Sequence, residues 1–593
     1  MNSQNKFQVT ATDKLGLALS GGGFRAALFH IGVLARMAEL DLLRHVQVLS
    51  TVSGGSIVGA MYYLKLKQLL EEKRPDGLKP GKAAYLQLVK ELEREFLSGV
   101  QTNILARTLL NPFKNAKMLL SDDYSRSDRL SELYHETFYK PTQSQQRESF
   151  SDWLLDVLCI KDTRAIFLSD LKIYPPGTQV GFDIRAYNKT AEYKVPMLAI
   201  NATTLNSGEL WKFTASSVGV ALAPQDNHPI PSLYPQLYFD DPALSEQQHK
   251  KLASLTLSDA VAASACVPSL FTPLSIHDLY QQNGEEIVVE LVDGGVYDNQ
   301  GLATLSDESC THTICSDASG QLQYTRTPSS KLISVIFRSN DILMIRVRGS
   351  ETQNLRNRPN TGFWHLRDSF EGSEHFPAFS TPVDSSDGIS NGQVYLLSAI
   401  RTDLDAFTDI EANSLMYDGY CLSDRFLNQS DGLKVAPSES WNFLNIRTKI
   451  SQDSAKLTHQ LQIAGDLFFK LFRLMGMNGR IIAGILALIS LGIIWAVLYA
   501  ILSTYQVKII TLLNSPKILT SMLVFGSAAW FLFSMLPERI GTIKKLADAI
   551  RKVRTGKAVL PLVYLVSILT VIPAIIVYIQ LKIFNPKYLE LGK

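Results

Sequence analysis

Residues 15–25 read LGLALSGGGFR, and this stretch decides the fold. Its short apolar run is typical of a buried strand, and the three glycines end that strand in a loop. Helical periodicity follows over residues 26–40. The same unit repeats with an apolar run over 46–50, a turn at Ser53 and a helical pattern from about 56 to 70. This alternation of strand, turn and helix predicts an α/β fold with a doubly wound, largely parallel sheet and covering helices.

Size, charge and cysteine content exclude several classes of protein. The 593 residues suffice for two or three domains, or for one large α/β domain with an appendage. The formal net charge is only +2, so we expect no nucleic-acid partner. The five cysteines form no CxxC pair, and no cluster of His, Asp and Glu has the spacing of metal ligands. We therefore expect no disulfide framework, no metal and no cofactor. Residues 1–14 are polar, which predicts no secretory signal.

The sequence pattern changes along the chain in a way that suggests domain boundaries. Residues 71–190 are charged, rich in helical patterns and poor in strand patterns, which predicts a helical insertion within a main domain of residues 1–330. Such an insertion either lies over a substrate cleft or only covers the sheet. Strand patterns return at 195–203 and 287–292, and residues 331–475 are predicted to extend the same domain with mixed helix and loop.

Three apolar segments without a charged residue lie near the C-terminal end, at 481–507, 518–536 and 558–581. About 20 apolar residues in a helix cross the hydrocarbon core of a bilayer, so each segment predicts a transmembrane helix. Basic residues cluster between the second and third segments, and the positive-inside rule then assigns this loop to the cytoplasm. With three spans the N-terminal domain lies on the same side. The sequence thus predicts a multi-pass integral membrane protein whose main domain is cytoplasmic.

Three glycine-centred segments supply the groups that a serine acyl hydrolase needs. Gly21, Gly22 and Gly23 offer successive N–H groups between a strand and a helix, which suits an anion site, although a tight turn or a phosphate loop would share the pattern. Ser53 lies between a strand and a helix, as in a nucleophile elbow or an ordinary helix N-cap. Asp293 ends a strand pattern and precedes two glycines, so it is either a carboxylate base or a turn residue.

Two features test the serine and aspartate assignments. An elbow needs small residues two positions before and after the serine; Gly55 satisfies this, whereas Thr51 stands where glycine is usual. An aspartate with its ordinary pKa near 3.9 is a weak base. We therefore expect either that partial desolvation raises the pKa of Asp293 or that proton transfer is concerted with attack.

These segments resemble the patatin-like phospholipase family. The resemblance lies in GGGFRAALFHIGVL at 21–34, VSGGS at 52–56 and VDGGVYDNQG at 292–301, with ASACVPSLFTP at 263–273 and NAT at 201–203 in support. It extends from about residue 13 to 320 and, more weakly, to about 430. The C-terminal apolar segments lie outside it.

The resemblance implies a three-layer fold and a Ser–Asp dyad in a catalytic domain of residues 1–330. At the matching positions Ser53 is the nucleophile and Asp293 is the base. The implied oxyanion hole consists of Gly21, Gly22, Gly23 and Gly54. Arg25 then either stabilises the glycine loop or contacts a phosphate, and the further supporting residues are Gly55, Gly294 and Gly295.

The expected function is that of a membrane-anchored lipid acyl hydrolase of phospholipase A or lysophospholipase type. It would cleave carboxylic esters of membrane lipids through an acyl-enzyme, with the bilayer as its partner surface; a regulatory partner is left open. Two other readings remain, a catalytically silent or regulatory membrane-tethered scaffold and a small channel. A Ser–His–Asp triad esterase is a further alternative, for which the available histidines are His312, His365, His375 and His459.

Overall fold

The computed structural model describes most of the chain up to residue 481 and its last residues. The described ranges are 9–109 apart from 11, residues 114 and 118, 124–140, 165–178, 181–220, 234–320 apart from 269, 326–368 apart from 357, 389–428, 441–466 apart from 453, 470–481 apart from 480, and 580–593.

The strands of the described residues begin with the predicted apolar runs. In chain order they are β1 (Leu15–Leu19), β2 (Val46–Val52), β3 (Met197–Thr204), β4 (Leu210–Phe213), β5 (Ser217–Val220), β6 (Leu237–Tyr238), β7 (Leu274–Gln282), β8 (Glu285–Asp293), β9 (His312–Asp317) and β10 (Thr361–His365).

These strands form one sheet, in which β10, β9, β1, β2 and β3 are neighbours and run parallel. Beyond β3 the sheet continues with the antiparallel strands β4, β5 and β6, while β8 pairs antiparallel with both β3 and β7. The prediction of an α/β fold with a largely parallel sheet is confirmed. The antiparallel part is an addition that strand patterns alone did not indicate.

Helices lie on both sides of this sheet. In chain order the described α-helices are α1 (Gly23–Glu39), α2 (Gly54–Leu70), α3 (Lys82–Val100), α4 (Ile104–Leu109), α5 (Arg126–Tyr134), α6 (Ile184–Thr190), α7 (Glu246–Ser254), α8 (Leu257–Ser264), α9 (Gly295–Asp298), α10 (Leu302–Asp307), α11 (Leu332–Arg356), α12 (Asn391–Ala399), α13 (Asp409–Asn428), α14 (Arg447–Ser451), α15 (Ala455–Ile463), α16 (Lys470–Leu474) and α17 (Asn585–Leu591).

Strand β1 shows how the sheet separates two apolar cores. Successive side chains of a strand point to opposite faces. Leu17 and Leu19 join the larger core, to which α1, α2, α3 and α13 contribute. Ala18 joins the smaller core, together with Leu302 of α10 and Leu355 of α11. The carboxyl ends of the parallel strands meet at one edge between these layers, where α/β proteins place their ligand sites.

The prediction of a multi-pass integral membrane protein is wrong. No helix among the described residues is long and apolar enough to cross a bilayer. The predicted spans 481–507, 518–536 and 558–581 lie outside the described residues, apart from positions 481, 580 and 581. Hydropathy and length describe each segment by itself. They contain no information on where residues 580–593, which follow these segments, pack.

The packing of the last residues contradicts the predicted topology. An odd number of spans would place these residues across the bilayer from the main domain. They pack on that domain instead: the rings of Phe584 and Phe472 are 5.2 Å apart, and the Tyr588 hydroxyl donates a hydrogen bond of 2.9 Å to Glu411. The N–H of Ile410 donates to the carbonyl of Gly592 at 3.1 Å.

Candidate active site

The sheet brings the carboxyl ends of β2 and β8 together on one edge of β3. Strand β2 follows β3 in parallel as far as the pair Val52 and Asn201. At the next position of β3, Ala202, the partner is Asp293 at the end of antiparallel β8. Because β4 occupies the other edge of β3 along these positions, β2 and β8 share an edge. Ser53, the residue after β2, is thereby placed against Asp293.

Ser53 has the strained backbone of a nucleophile elbow. Its φ is 49° and its ψ is −117°, a conformation that costs a residue with a side chain of order 1–3 kcal/mol. It occupies the N-cap position of α2, but its side chain makes no capping hydrogen bond. The hydroxyl lies near the Asp293 carboxylate and lowers the pKa of that group in part. This arrangement differs from that of an ordinary helix N-cap.

Close approach of the backbone around Ser53 explains the glycines and also Thr51. A Cβ on Gly55 would stand 2.2 Å from the carbonyl oxygen of Leu19, so α2 lies directly on the end of β1. A Cβ on Gly59 would stand 2.6 Å from the Thr51 methyl group. A glycine two residues before the serine usually leaves room for the helix that follows. Here Thr51 fills that position, and the missing side chain of Gly59 in α2 leaves room for the Thr51 methyl group instead.

A buried serine anchors the elbow from another element. The Ser53 N–H donates a hydrogen bond of 3.0 Å to the Ser264 hydroxyl, at the end of α8. The hydroxyls of Ser264 and Ser56 are 2.8 Å apart, and Ser56 donates to the Thr51 hydroxyl at 3.0 Å. Sequence reasoning missed this function of Ser264. The available signal was its position in ASACVPSLFTP, a segment that resembles the patatin family.

Asp293 is almost inaccessible to solvent, which changes its chemistry. Its exposed fraction is 6%, and that of Ser53 is 5%. Burial raises the pKa of Asp293 to about 6, although hydrogen bonds from the Gly295 N–H, at 2.7 Å, and from the Ser53 hydroxyl lower it in part. The carboxylate therefore has a pKa close to the value that suits a general base near neutral pH.

The two glycines after Asp293 allow the chain to turn in a crowded space. A Cβ on Gly294 would stand 2.3 Å from the carbonyl oxygen of Asn201, and one on Gly295 would stand 2.5 Å from the Asn299 side-chain oxygen. The N–H of Gly294 donates to the carbonyl of Ser264 at 3.2 Å. Ser264 thus positions both the elbow and the loop after the carboxylate.

Two helix N-termini meet beside Ser53. The glycine loop leads into α1, and a Cβ on Gly54 at the start of α2 would stand 2.0 Å from the carbonyl oxygen of Gly23. Within the described residues, the N–H groups of Gly22, Gly23 and Gly54 donate to no protein acceptor. Unpaired N–H groups at two adjacent helix N-termini form a site for negative charge.

Gly21 is placed differently from the other glycines. Its N–H donates a hydrogen bond of 2.9 Å to the carbonyl of Asn299. A Cβ at this position would stand 3.1 Å from the Ser53 Cβ and 2.2 Å from the Asn299 side-chain oxygen. Asn299, in the segment VDGGVYDNQG, is a second supporting residue that sequence reasoning did not single out.

Arg25 stabilises the glycine loop from within the protein. Its guanidinium donates to the carbonyls of Ser398 and Ile400, at 2.9 and 2.8 Å, and to that of Ala318 at 3.0 Å. A Cβ on Gly22 would stand 2.8 Å from the same Ala318 oxygen. Burial lowers the pKa of Arg25 to about 9, and Arg25 is only 3% exposed. Of the two roles considered for it, these contacts correspond to stabilisation of the loop.

His30 is uncharged and also stabilises the start of the glycine loop. Its Nε2 donates to the carbonyl of Ser20 at 3.0 Å, so its Nδ1 accepts from the Ser316 hydroxyl at 2.8 Å. Burial lowers the pKa of His30 to about 4. The imidazole fixes the end of β1 against the end of β9, immediately before the glycine loop.

Residues 401–406 brace the glycine loop from the opposite side. A Cβ on Gly23 would stand 1.6 Å from the carbonyl oxygen of Thr402, and the Phe24 N–H donates to the backbone carbonyl of Asp403 at 3.4 Å. Arg401 is held in turn by Glu411, at 2.6 Å. Because Tyr588 donates to the same Glu411, the last helix of the chain is connected to the glycine loop through buried polar contacts.

The histidines that a triad would need are placed elsewhere. His312 begins β9, and its Nδ1 lies 3.6 Å from Asp13. His365 ends β10, and its Nδ1 accepts a hydrogen bond of 3.0 Å from the Arg367 N–H. His459 lies in α15, and His375 lies outside the described residues.

Residues 17–305 match the family model of the patatin-like phospholipases. No curated protein matches the chain. Similar solved structures include human GIVD cytosolic phospholipase A2 in complex with methyl γ-linolenyl fluorophosphonate and terbium chloride, at a TM-score of 0.36 and 12% identity, covering 77% of this chain and 61% of that one. VipD from Legionella pneumophila follows at a TM-score of 0.26 and 11% identity, covering 77% of this chain and 76% of that one. These two likenesses are too low to carry an argument.

The family match encloses the segments that carry the candidate catalytic residues. It contains the glycine loop after β1, the elbow at Ser53, the anchoring Ser264 and the carboxylate of Asp293. The chain covers only about three-fifths of the length of the human phospholipase, so nothing is carried over from that protein. Residues 17–305 therefore carry a patatin-like phospholipase domain.

Proposed function

We propose that the protein is a phospholipase A or lysophospholipase that cleaves carboxylic esters of membrane lipids with a Ser53–Asp293 dyad. The observation that carries the proposal is the adjacency of β2 and β8 on β3, at Asn201 and Ala202. It sets a strained, uncapped serine against a buried carboxylate. Among the described groups that shift the pKa of Asp293, none is a histidine.

In the acylation step, Asp293 removes the hydroxyl proton of Ser53 as the oxygen attacks the ester carbonyl carbon. The tetrahedral intermediate collapses, the bond to the alcohol oxygen breaks, and Asp293 returns its proton to the leaving lysolipid or glycerol oxygen. The fatty acyl group remains esterified to Ser53. In the second step Asp293 takes a proton from water as the water oxygen attacks the acyl carbonyl carbon. The bond to the Ser53 oxygen then breaks, Asp293 returns the proton to that oxygen, and the fatty acid leaves.

The negative charge of the intermediate needs donors beside Ser53. The N–H groups of Gly22, Gly23 and Gly54 fulfil this role in our proposal, since they have no protein acceptor in the described structure. Loss of one such donor typically lowers kcat by about 10²–10³-fold. Gly21 has a structural part, because its N–H is already bonded to Asn299 and its missing side chain leaves room for Ser53.

The raised pKa of Asp293 supports its role as the base. A carboxylate with a pKa near 4 has little driving force to take a proton from a serine hydroxyl. Burial brings this pKa to about 6, which strengthens the base while leaving it ionised at neutral pH. The Ser53 hydroxyl, which lowers this pKa in part, lies beside the carboxylate that would take its proton.

The test is release of fatty acid from mixed phospholipid vesicles by the full chain, compared with Ser53→Ala and Asp293→Asn. We expect both variants to lose more than about 10³-fold in rate while retaining the wild-type fold by circular dichroism. Ser423→Ala is the matched control, because Ser423 is a buried serine of α13 whose hydroxyl donates to the carbonyl of Gly419 in the same helix. Release that survives Ser53→Ala would refute the proposal.

A further inference from the structure

Helix α11 exposes an apolar face. Val335, Ile336, Ile342, Leu343 and Val347 are between 42% and 63% exposed. At 100° per residue they lie within an arc of about 140° of the helix. We call these five residues the outer face of α11. Single exposed apolar residues are common, but five of them on one face of a helix mark an interaction surface.

The opposite side of α11 is already used by the protein. Leu355 is buried in the smaller core, and Arg348 donates a hydrogen bond of 2.8 Å to the buried carboxylate of Asp317. The helix is therefore fixed to the domain by one side and apolar on the other. A surface helix with a single apolar side would present charged residues to water instead.

The charges on and around α11 favour an anionic partner. Residues 331–358 contain six basic residues and two acidic ones. Lys331 and Arg346 are exposed, and Arg346 lies within the arc of the outer face. A helix with an apolar face and basic residues is typical of segments that lie in the interface of an anionic bilayer.

The helix is also next to the active site. It packs against α9, which begins at Gly295, two residues after Asp293. Gln300, just beyond α9, and Arg348 of α11 both donate to the same oxygen of Asp317. Tyr297 of α9 is 43% exposed, and an exposed tyrosine suits the boundary between lipid and water.

We propose that the outer face of α11 docks on the surface of an anionic lipid bilayer and holds the active site against its substrate. This inference rests on the proposed function, because it assumes a lipid ester as substrate. A second copy of the chain is disfavoured, since a stable dimer interface uses about 20–30 residues on each side and the outer face has five. The docking is peripheral and needs no helix that spans the bilayer.

The experiment measures binding and hydrolysis separately. Binding of the Ser53→Ala protein to vesicles of phosphatidylcholine with phosphatidylserine is followed by co-sedimentation, so that no lipid is consumed. In this background we expect Ile336→Ser with Leu343→Ser to weaken binding about 100-fold, since each substitution removes an apolar side chain from the interface. We expect Lys331→Ser with Arg346→Ser to weaken binding about 10-fold or more at low salt, with little effect on vesicles of phosphatidylcholine alone.

The matched control is Ile184→Ser. Ile184 is 36% exposed, but it lies in α6, whose Arg185 pairs with Glu308 near the amino ends of the parallel strands. Its substitution should leave vesicle binding unchanged. Vesicle binding that is equally strong in the outer-face double variant and in its parent would overturn the proposal. So would a dimer in solution that the double variant converts to a monomer, because the face would then serve self-association.

A second readout separates this proposal from the proposed function. In the protein with an intact Ser53, the outer-face variant should lose at least about 10-fold more activity on vesicles than on a short-chain ester dissolved as monomers. Equal losses on both substrates would contradict docking. Vesicle binding through α11 without Ser53-dependent hydrolysis of any ester would leave docking supported and overturn the proposed function.

Discussion

Replacing Asp293 by Asn should stabilise the protein in a pH-dependent way while it abolishes activity. The carboxyl keeps its proton up to about pH 6 in the folded chain, against a value of 3.8 in the unfolded chain. As the pH rises from 3.8 to about 6 the unfolded chain gives up this proton more readily than the folded chain, so the wild type loses stability over this range and no further above it. A shift of this size corresponds to about 3 kcal/mol at most. The amide oxygen that the substitution introduces could still accept the hydrogen bond from Gly295.

The assay is urea unfolding of wild type and Asp293→Asn at about pH 4.5 and pH 8. The free energy of unfolding of the variant, relative to wild type, should increase by about 2 kcal/mol between the two conditions. Other titrating groups are common to both proteins and cancel in this difference. A difference that does not change with pH, or a variant that becomes relatively less stable at pH 8, would refute the reasoning.

Asp317→Asn is the matched control for this measurement. Asp317 is fully buried like Asp293, but the adjacent Arg348, 2.8 Å away, helps to hold its pKa below the ordinary value. Its charge therefore contributes stability that is present above the unfolded pKa and is lost only as the pH falls. We expect this variant to be less stable than wild type at both pH values, by a nearly constant amount.

Three further predictions follow from the site. The value of kcat/KM should rise about 10-fold per pH unit up to about pH 6 and then level off, because Asp293 must be ionised; a rise centred near pH 7 or above would indicate another base. Gly59→Ala should cost about 1–3 kcal/mol and lower kcat, because the new methyl meets Thr51; adding Thr51→Ser should restore both, and failure of this rescue in unfolding and rate measurements would contradict the proposed packing. Tyr588→Phe should lower the free energy of unfolding by about 1–2 kcal/mol, because Glu411 loses a buried donor; a thermal melt equal to that of wild type would show that the C-terminal helix does not brace this network.

The part of the site that the sequence could predict consists of local patterns. A strand followed by glycines, or by a serine and a helix, is encoded in about ten consecutive residues. Such patterns indicated the glycine loop, the elbow and the carboxylate. The family match over residues 17–305 supports the predicted patatin-like domain, and the sheet confirms the predicted parallel α/β core.

The remaining features depend on residues that are distant in sequence. The pairing of β8 on β3, which sets Asp293 against Ser53, joins positions 91 residues apart at Ala202. Ser264 supports the elbow from a separate helix, and Thr402 braces Gly23 from the far side of the chain. No local periodicity carries this information, because hydrogen bonds of this kind arise only once the sheet has assembled.

The error about the membrane has the same origin. Hydropathy and length describe a segment by itself. They do not tell where the following residues pack, and here Phe584 and Tyr588 contact the domain that precedes the apolar segments. Thr51 is a smaller example, because it departs from the usual elbow sequence. The contact that makes room for its methyl group, at Gly59, lies eight residues further along the chain and is given only by the structure.

The central claim is that Ser53, activated by Asp293, is the residue that carries the acyl group. The most direct measurement is mass spectrometry of the full chain after reaction with a fluorophosphonate, which reacts with an activated serine hydroxyl. The account predicts a single adduct on the peptide that contains Ser53, absent in Ser53→Ala and formed much more slowly in Asp293→Asn. An adduct on another residue, or labelling of Ser53 at the same rate without the carboxylate, would contradict it.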